Sequence, residues 1–173
     1  RLLGGLRLGE TEIPFYPMAL DLYRGEPVVL AHGTVGRAIS LSSGLPPLFR
    51  TRKRTADRLV DGGIGNNVPV SIVQAAGADF LIGSNVIPHS ARRSRWDDMP
   101  IIGRALDLLN SAYHLMAQNG RDRAQFADHL FDIGSPDYGP TDFRNGRQIA
   151  DDGQERVRLD MENLVLAYSD NWF

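Results

Sequence analysis

Cysteine is absent from the 173 residues. Its absence excludes disulfides, thiolate catalysis and cysteine-ligated metal together, and it suits a reducing compartment. The chain also has no apolar run near the roughly eighteen residues a membrane span needs, and no signal peptide with a charged start and a small-residue cleavage site. Neither sign of charge dominates. The 19 basic and 21 acidic side chains leave a formal charge of -2, so no whole-molecule field draws the chain to nucleic acid. There is no internal repeat and no low-complexity tract. The chain opens "RLLGG" rather than with methionine, which raises the expectation that it is the back part of something longer.

What is present fits an ordinary globular chain. With 42% hydrophobic and 23% charged residues, the composition supports a real core and argues against disorder. We therefore read residues 1–173 as belonging to a single domain.

Strand-like and helix-like segments alternate, which points to an α/β layer structure. Ile13 to Leu22 ("IPFYPMALDL") and Pro27 to Ala31 ("PVVLA") read as a pair of strands, with Arg24-Gly25-Glu26 as the turn between them. Thr34 is a candidate N-cap for a helix carrying Val35, Ala38, Ile39 and Leu41, and Gly44 with Pro46-Pro47 stops it. A charged loop, "FRTRKRTADR", leads to a short strand at Arg58 to Val60. Beyond a glycine-rich turn, Pro69 stands where a helix starts, with Asn67 or its neighbour as cap and Gly77 as a left-handed stop.

"DFLIGSNVI", Asp79 to Ile87, is a continuous apolar run of the kind a strand buried on both faces shows. Strand, turn, helix and strand then add up to one βαβ unit. Ile102, Ala105, Leu106, Leu109, Ala112, Tyr113 and Met116 form the stripe of a core-facing helix that ends at Gln118-Asn119-Gly120. "ADHLFDIGSP" supplies one more short strand, and Phe143 to Tyr168 predict a terminal helix weakened by Gly146 and Gly153.

The stretch "LVDGGIGNNVPV", Leu59 to Val70, concentrates the functional signal. Asp61 ends an expected parallel strand, and the crevice at the carboxyl ends of such strands is where open α/β sheets carry out chemistry. Gly62 and Gly63 remove side-chain bulk beside the carboxylate, so that a substrate or another chain segment can come close. The plainer reading is that Asp61 accepts turn hydrogen bonds as an Asx turn. A further reading treats "GGIGNN" as a phosphate cradle at a helix N-terminus, in a nucleotide-binding βαβ module. That fingerprint lacks its third glycine, and Ser84 and Asn85 stand where an acid should hold the ribose. A non-catalytic interaction domain is the remaining alternative.

Four segments, "IPFYPMALDL", "GEPVVLAHGTVGRAISLSSGLPPLF", "LVDGGIGNNVPV" and "GADFLIGSNVIP", occur in an order that resembles the second half of the patatin-like phospholipase domain. The bacterial members and the neuropathy target esterase relatives share that order. The likeness is close over residues 11–88 and looser beyond, where "FDIGSP" and "DFRNGRQIADDGQERV" are similar to the family's closing strand and helix.

The resemblance implies a partial three-layer sandwich with a mainly parallel sheet flanked by helices. It also implies a serine-aspartate dyad that hydrolyses phospholipid, lysophospholipid or other carboxylic esters with no metal or organic cofactor. By that match Asp61 is the catalytic aspartate, and Gly62 and Gly63 give turn and oxyanion support. In such a dyad the carboxylate takes the serine proton directly. His32, His89, His114 and His129 are then not needed as bases and are expected as surface or loop residues.

The sequence departs from the family in containing no Gly-x-Ser-x-Gly elbow and no glycine-rich oxyanion loop. Both lie upstream in the family, so the partner implied is the missing N-terminal half of the same domain, and this chain alone is expected to be inactive. Ser40, Ser42 and Ser43 fall in a helix-end segment that packs near the site in the family without supplying the nucleophile. Arg52, Lys53 and Arg54, with Arg50 and Arg58 nearby, are candidates for contact with anionic lipid headgroups. The implied location is the cytoplasm or the membrane surface.

Overall fold

Gly25 reverses the chain with a φ of +67°, a backbone conformation that glycine adopts without steric cost. The tight turn it makes forces the segments on either side to run antiparallel. In the computed structural model these are β1 (Met18–Asp21) and β2 (Glu26–Val29), paired from Met18 with Val29 to Asp21 with Glu26. The structure describes residues 3, 5–45, 58–87, 111, 112, 114–116, 118, 126–138 and 143–171. They fall into two compact units, one of residues 1–67 and 94–116, the other of residues 68–93 and 117–173.

In the first unit β3 (Leu59–Asp61) pairs antiparallel with the other edge of β1, Ala19 facing Asp61 and Asp21 facing Leu59. The sheet order is β2-β1-β3. As the central strand, β1 is buried along its whole length, with Ala19 fully inaccessible. Helix α1 (Val35–Ser42) lies against β1 and β3, turning Val35, Ala38 and Leu41 inward. Thr34 is its N-cap residue by backbone position, but the side chain makes no capping bond. Ile39 is left exposed at 38%.

Asp21 closes the end of β1. It is 2% exposed, its Oδ1 accepts from the backbone N–H of Tyr23 at 3.0 Å and of Arg24 at 3.4 Å, and its Oδ2 meets Arg58 Nε at 3.2 Å. One carboxylate thus ties the β1–β2 turn to the entry of β3. Arg58, expected in the basic loop, is engaged in this structural pair.

The second unit holds α2 (Val70–Ala75), β4 (Ile82–Asn85), β5 (His129–Asp132), a 3-10 turn at Phe143–Asn145 and α3 (Gly146–Asp170). Pro69 is the N-cap residue of α2, in place of the expected Asn67, and Gly77 leaves the helix with a φ of +96°. Val68, Val70 and Leu81 form the core of this unit, with Ala78, Ala127 and Leu130 against it. β4 and β5 run parallel, Ile82 beside His129 and Asn85 beside Asp132.

Several sequence expectations change. The chain is mixed α/β, but among the described residues the larger sheet is antiparallel and only β4 and β5 are parallel. The βαβ unit is not formed, because β3 and β4 belong to different sheets. One edge of β3 is taken by β1, and on its other side the N–H of Asp61 donates to Gly44 O at 3.1 Å. Asp61 therefore ends an antiparallel strand, not a parallel one. The first strand is confined to four residues, and Ile13, Phe15 and Tyr16 before it are exposed.

"FLIGSNVI" is buried on one face only. Gly83, Asn85 and Ile87 point inward while Ile82, Ser84 and Val86 point out, as the two-residue period of a strand dictates. The buried Asn85 is satisfied, donating to Asp132 Oδ1 at 3.0 Å and to Ile87 O at 3.2 Å. Of the expected stripe, Ala112 is buried and Met116 half-buried on a helical segment, and residues 101–110 lie outside the described residues. No helix among the described residues is long and apolar enough to cross a membrane.

Candidate functional site

β3 delivers Asp61 to the point where the chain leaves the sheet and winds into a 3-10 turn, Gly62–Ile64. The carboxylate caps that turn, Oδ1 accepting the N–H of Gly63 at 2.8 Å. This is the Asx-type bond that the plainer reading of the sequence anticipated. Among the described residues Oδ2 accepts no hydrogen bond. Half-buried, Asp61 has its carboxyl pushed above the ordinary 3.8: burial penalises the ion, and the Gly63 N–H recovers only part of that loss. Asp61 is therefore a carboxylate held by one oxygen, with the other unpaired among the described residues, and with a raised affinity for a proton.

The two glycines that follow serve different ends. A Cβ on Gly62 would stand 2.5 Å from Met18 O and 2.6 Å from Met18 C, so this glycine lets the turn press onto the backbone of β1. A Cβ on Gly63 would instead point among side chains, 3.1 Å from Asp61 Oδ1 and 3.2 Å from Asn67 Oδ1, and closer still to Met116 Cε. The bareness that the sequence suggested beside the carboxylate thus belongs to Gly63. Gly62 is a packing glycine. Gly65 is also tight, with Leu20 Cδ1 at 2.8 Å from its notional Cβ.

The turn closes on Gly62 O, which accepts from Gly65 N–H at 3.0 Å and from Asn66 N–H at 2.8 Å. Asn66 is 3% exposed, and among the described residues its buried Oδ1 has no hydrogen-bond partner. The sequence drew attention to the asparagines only as cap candidates.

The end of α1 lies next to Asp61 through the Gly44 O bond, so "AISLSSG" borders the candidate site. Ser40 and Ser43 are exposed and Ser42 is half-buried at that helix end. Arg52, Lys53 and Arg54 lie outside the described residues, as do Arg50 and His89. His32 and His114 are exposed, in line with expectation. His129 is not a surface residue. It sits on β5 with its side chain 9% exposed, Nε2 3.0 Å from Asp160 Oδ2 and its ring edge-on to Phe131. Its identity in sequence gave no hint of this, because Asp160 is thirty-one residues away.

The phosphate-cradle reading loses its framework, since the βαβ unit is not formed and α2 has only six residues. Met116, expected on the core-facing stripe, is half-buried, and its Cε packs over Gly63. Compared with models of known protein families, the chain matches none.

Proposed function

We propose that this chain forms part of a patatin-like lipid acyl hydrolase and supplies its base, Asp61. The ordered segments quoted above support the family, and with it a three-layer sandwich in the complete domain. The observation that carries the function is the state of Asp61: it ends a strand, one oxygen is anchored by Gly63 N–H, and burial raises its proton affinity. A general base works best when its pKa is drawn toward the working pH, and carboxylates are drawn there by burial.

In this reading Asp61 Oδ2 takes the proton of a serine hydroxyl as the serine oxygen bonds to an ester carbonyl carbon. The same proton passes to the departing alcohol oxygen when the ester bond breaks. Water then attacks the acyl carbon and gives up a proton to Asp61; the bond from that carbon to the serine oxygen breaks, Asp61 returns the proton to the serine oxygen, and the carboxylic acid departs. The serine belongs to a Gly-x-Ser-x-Gly elbow contributed from outside these 173 residues. Arg52, Lys53 and Arg54 are the proposed contacts to anionic headgroups at a membrane surface. No metal or organic cofactor takes part in these steps.

The test is kinetic. In the full-length protein, Asp61→Asn should lower kcat on p-nitrophenyl butyrate by about 10² to 10⁴, the range for a lost general base, with KM little changed. Full turnover by the variant would make Asp61 a turn residue only. The reading frame immediately upstream of Arg1 should encode Gly-x-Ser-x-Gly, and its absence there would remove the dyad.

A further inference from the structure

Phe143 to Asn145 wind into a 3-10 turn, and α3 begins at Gly146 with Asn145 as its N-cap residue. Asn145 is exposed, and its side chain makes no capping hydrogen bond. Its backbone, at φ −94° and ψ 17°, lies outside the values of a regular helix. Gly146 is exposed too, and a Cβ built on it would meet nothing within 4 Å. As the first helical residue, Gly146 contributes no N–H to the intrahelical ladder of α3. The first turn of this helix holds no acidic side chain, although Arg147 stands in it. The amide dipoles of α3 therefore lack the negative charge that stabilises a helix N-terminus.

An asparagine followed by glycine carries a reaction within its own backbone. The Gly146 nitrogen attacks Asn145 Cγ, the bond from Cγ to the side-chain nitrogen breaks, and ammonia leaves with the proton that the Gly146 nitrogen gives up. Water opens the cyclic imide that results. Opening at Cγ leaves aspartate, and opening at the main-chain carbonyl carbon leaves isoaspartate, so that in both products an uncharged amide has become a carboxylate. Ring closure needs the peptide plane between the two residues to turn, and a following glycine, with no Cβ in the way, obstructs it least. The open surroundings of Gly146 leave room for that rotation. The sequence holds a second pair of this type, Asn119-Gly120, which lies outside the described residues.

We propose that Asn145 is a site of spontaneous deamidation, and that the aspartate formed there caps α3 with the negative charge its N-terminus lacks. The modification needs no co-reactant besides water, and it does not depend on the acyl-hydrolase reading. The aspartate product tightens the start of a helix that has no fully buried residue to hold it.

The experiment ages the folded full-length protein in mildly alkaline buffer and maps each asparagine by peptide mass spectrometry, with the urea-unfolded protein and Asn145→Gln alongside. The peptide that holds Asn145 should gain the mass of an amide-to-acid exchange, ammonia should appear in step, and Asn145→Gln should lose that share of the ammonia. Retention of the Asn145 amide in the folded protein, under conditions that convert it in the unfolded protein, overturns the site. A second measurement tests the cap. Asn145→Asp should raise the hydrogen-exchange protection of the first turn of α3 about threefold at low salt, the scale of one charge at a helix end. The gain should vanish at about 1 M salt, where charges are screened within about 3 Å. Protection equal to the wild type at low salt overturns the capping role and leaves the deamidation site standing.

Discussion

Partial burial penalises the charge of the Asp61 carboxylate, and this gives the residue a measurable signature in stability. Folding raises its pKa above 3.8, so between that value and the folded pKa the native state binds more protons than the unfolded chain. The contribution of Asp61 to stability is then fully present below 3.8, is lost as pH rises through the folded pKa, and stays lost above it. Asparagine keeps the acceptor for Gly63 N–H and removes the charge. Asp61→Asn should therefore raise the urea midpoint of the chain at pH 7 and give no gain at pH 3, where the native carboxyl is already protonated. An equal gain at both pH values, or a loss at pH 7, would refute burial as the cause of the shift. A gain at pH 7 would also be characteristic of a functional site, where stability is given up for a charge in the right place.

Between elements, Asp21 adds a side-chain tie to the backbone pairing of the three strands of the first unit. Its carboxylate serves the N–H groups of Tyr23 and Arg24 and the guanidinium of Arg58, and so joins the β1–β2 turn to β3. Asp21→Ala should cost about 2 kcal/mol, the scale for losing hydrogen bonds to a charged group, read as a lower urea midpoint. Because β3 carries Asp61, the same variant of the full-length protein should also lose ester turnover. A variant as stable as the wild type would mean that the backbone ladder alone fixes β3.

Most elements were legible from local signals. Gly77 and the turn at Gly25 mark boundaries through a positive φ that glycine favours, Thr34 and Gly44 stand at the two ends of α1, and α1, α2 and the β1–β2 reversal follow from them. Asp61 and its turn were legible for the same reason. Strand partnership was not. Whether β3 lies beside β1 or β4 depends on hydrogen bonds between residues far apart in the chain, and a run such as "FLIGSNVI" reads alike with one face covered or two. The His129–Asp160 pair escaped for that reason too: it takes its meaning from a neighbour that sequence spacing does not reveal.

For the molecule as a whole, the distribution of apolar surface sets how the 173-residue chain should behave by itself. In the second unit the outward face of β4 exposes Ile82 at 53%, Val86 just beyond it is exposed at 62%, and α3 exposes Leu159, Val165, Leu166 and Tyr168. α3 has no fully buried residue along its 25 positions. Parallel strands are ordinarily covered on both faces, and apolar faces of this kind drive association when they meet water. The first unit adds Ile13 and Tyr23, exposed at 80% and 86%. The isolated chain should therefore bind a hydrophobic dye strongly and sediment as larger species as its concentration rises. Ile82→Ser with Val86→Ser should reduce the dye signal without moving the urea midpoint, because both side chains already face outward. If the chain sediments as a monomer and leaves the dye dark, these faces are covered within the chain itself, and the expectation that a missing part of the domain completes the structure loses its physical support.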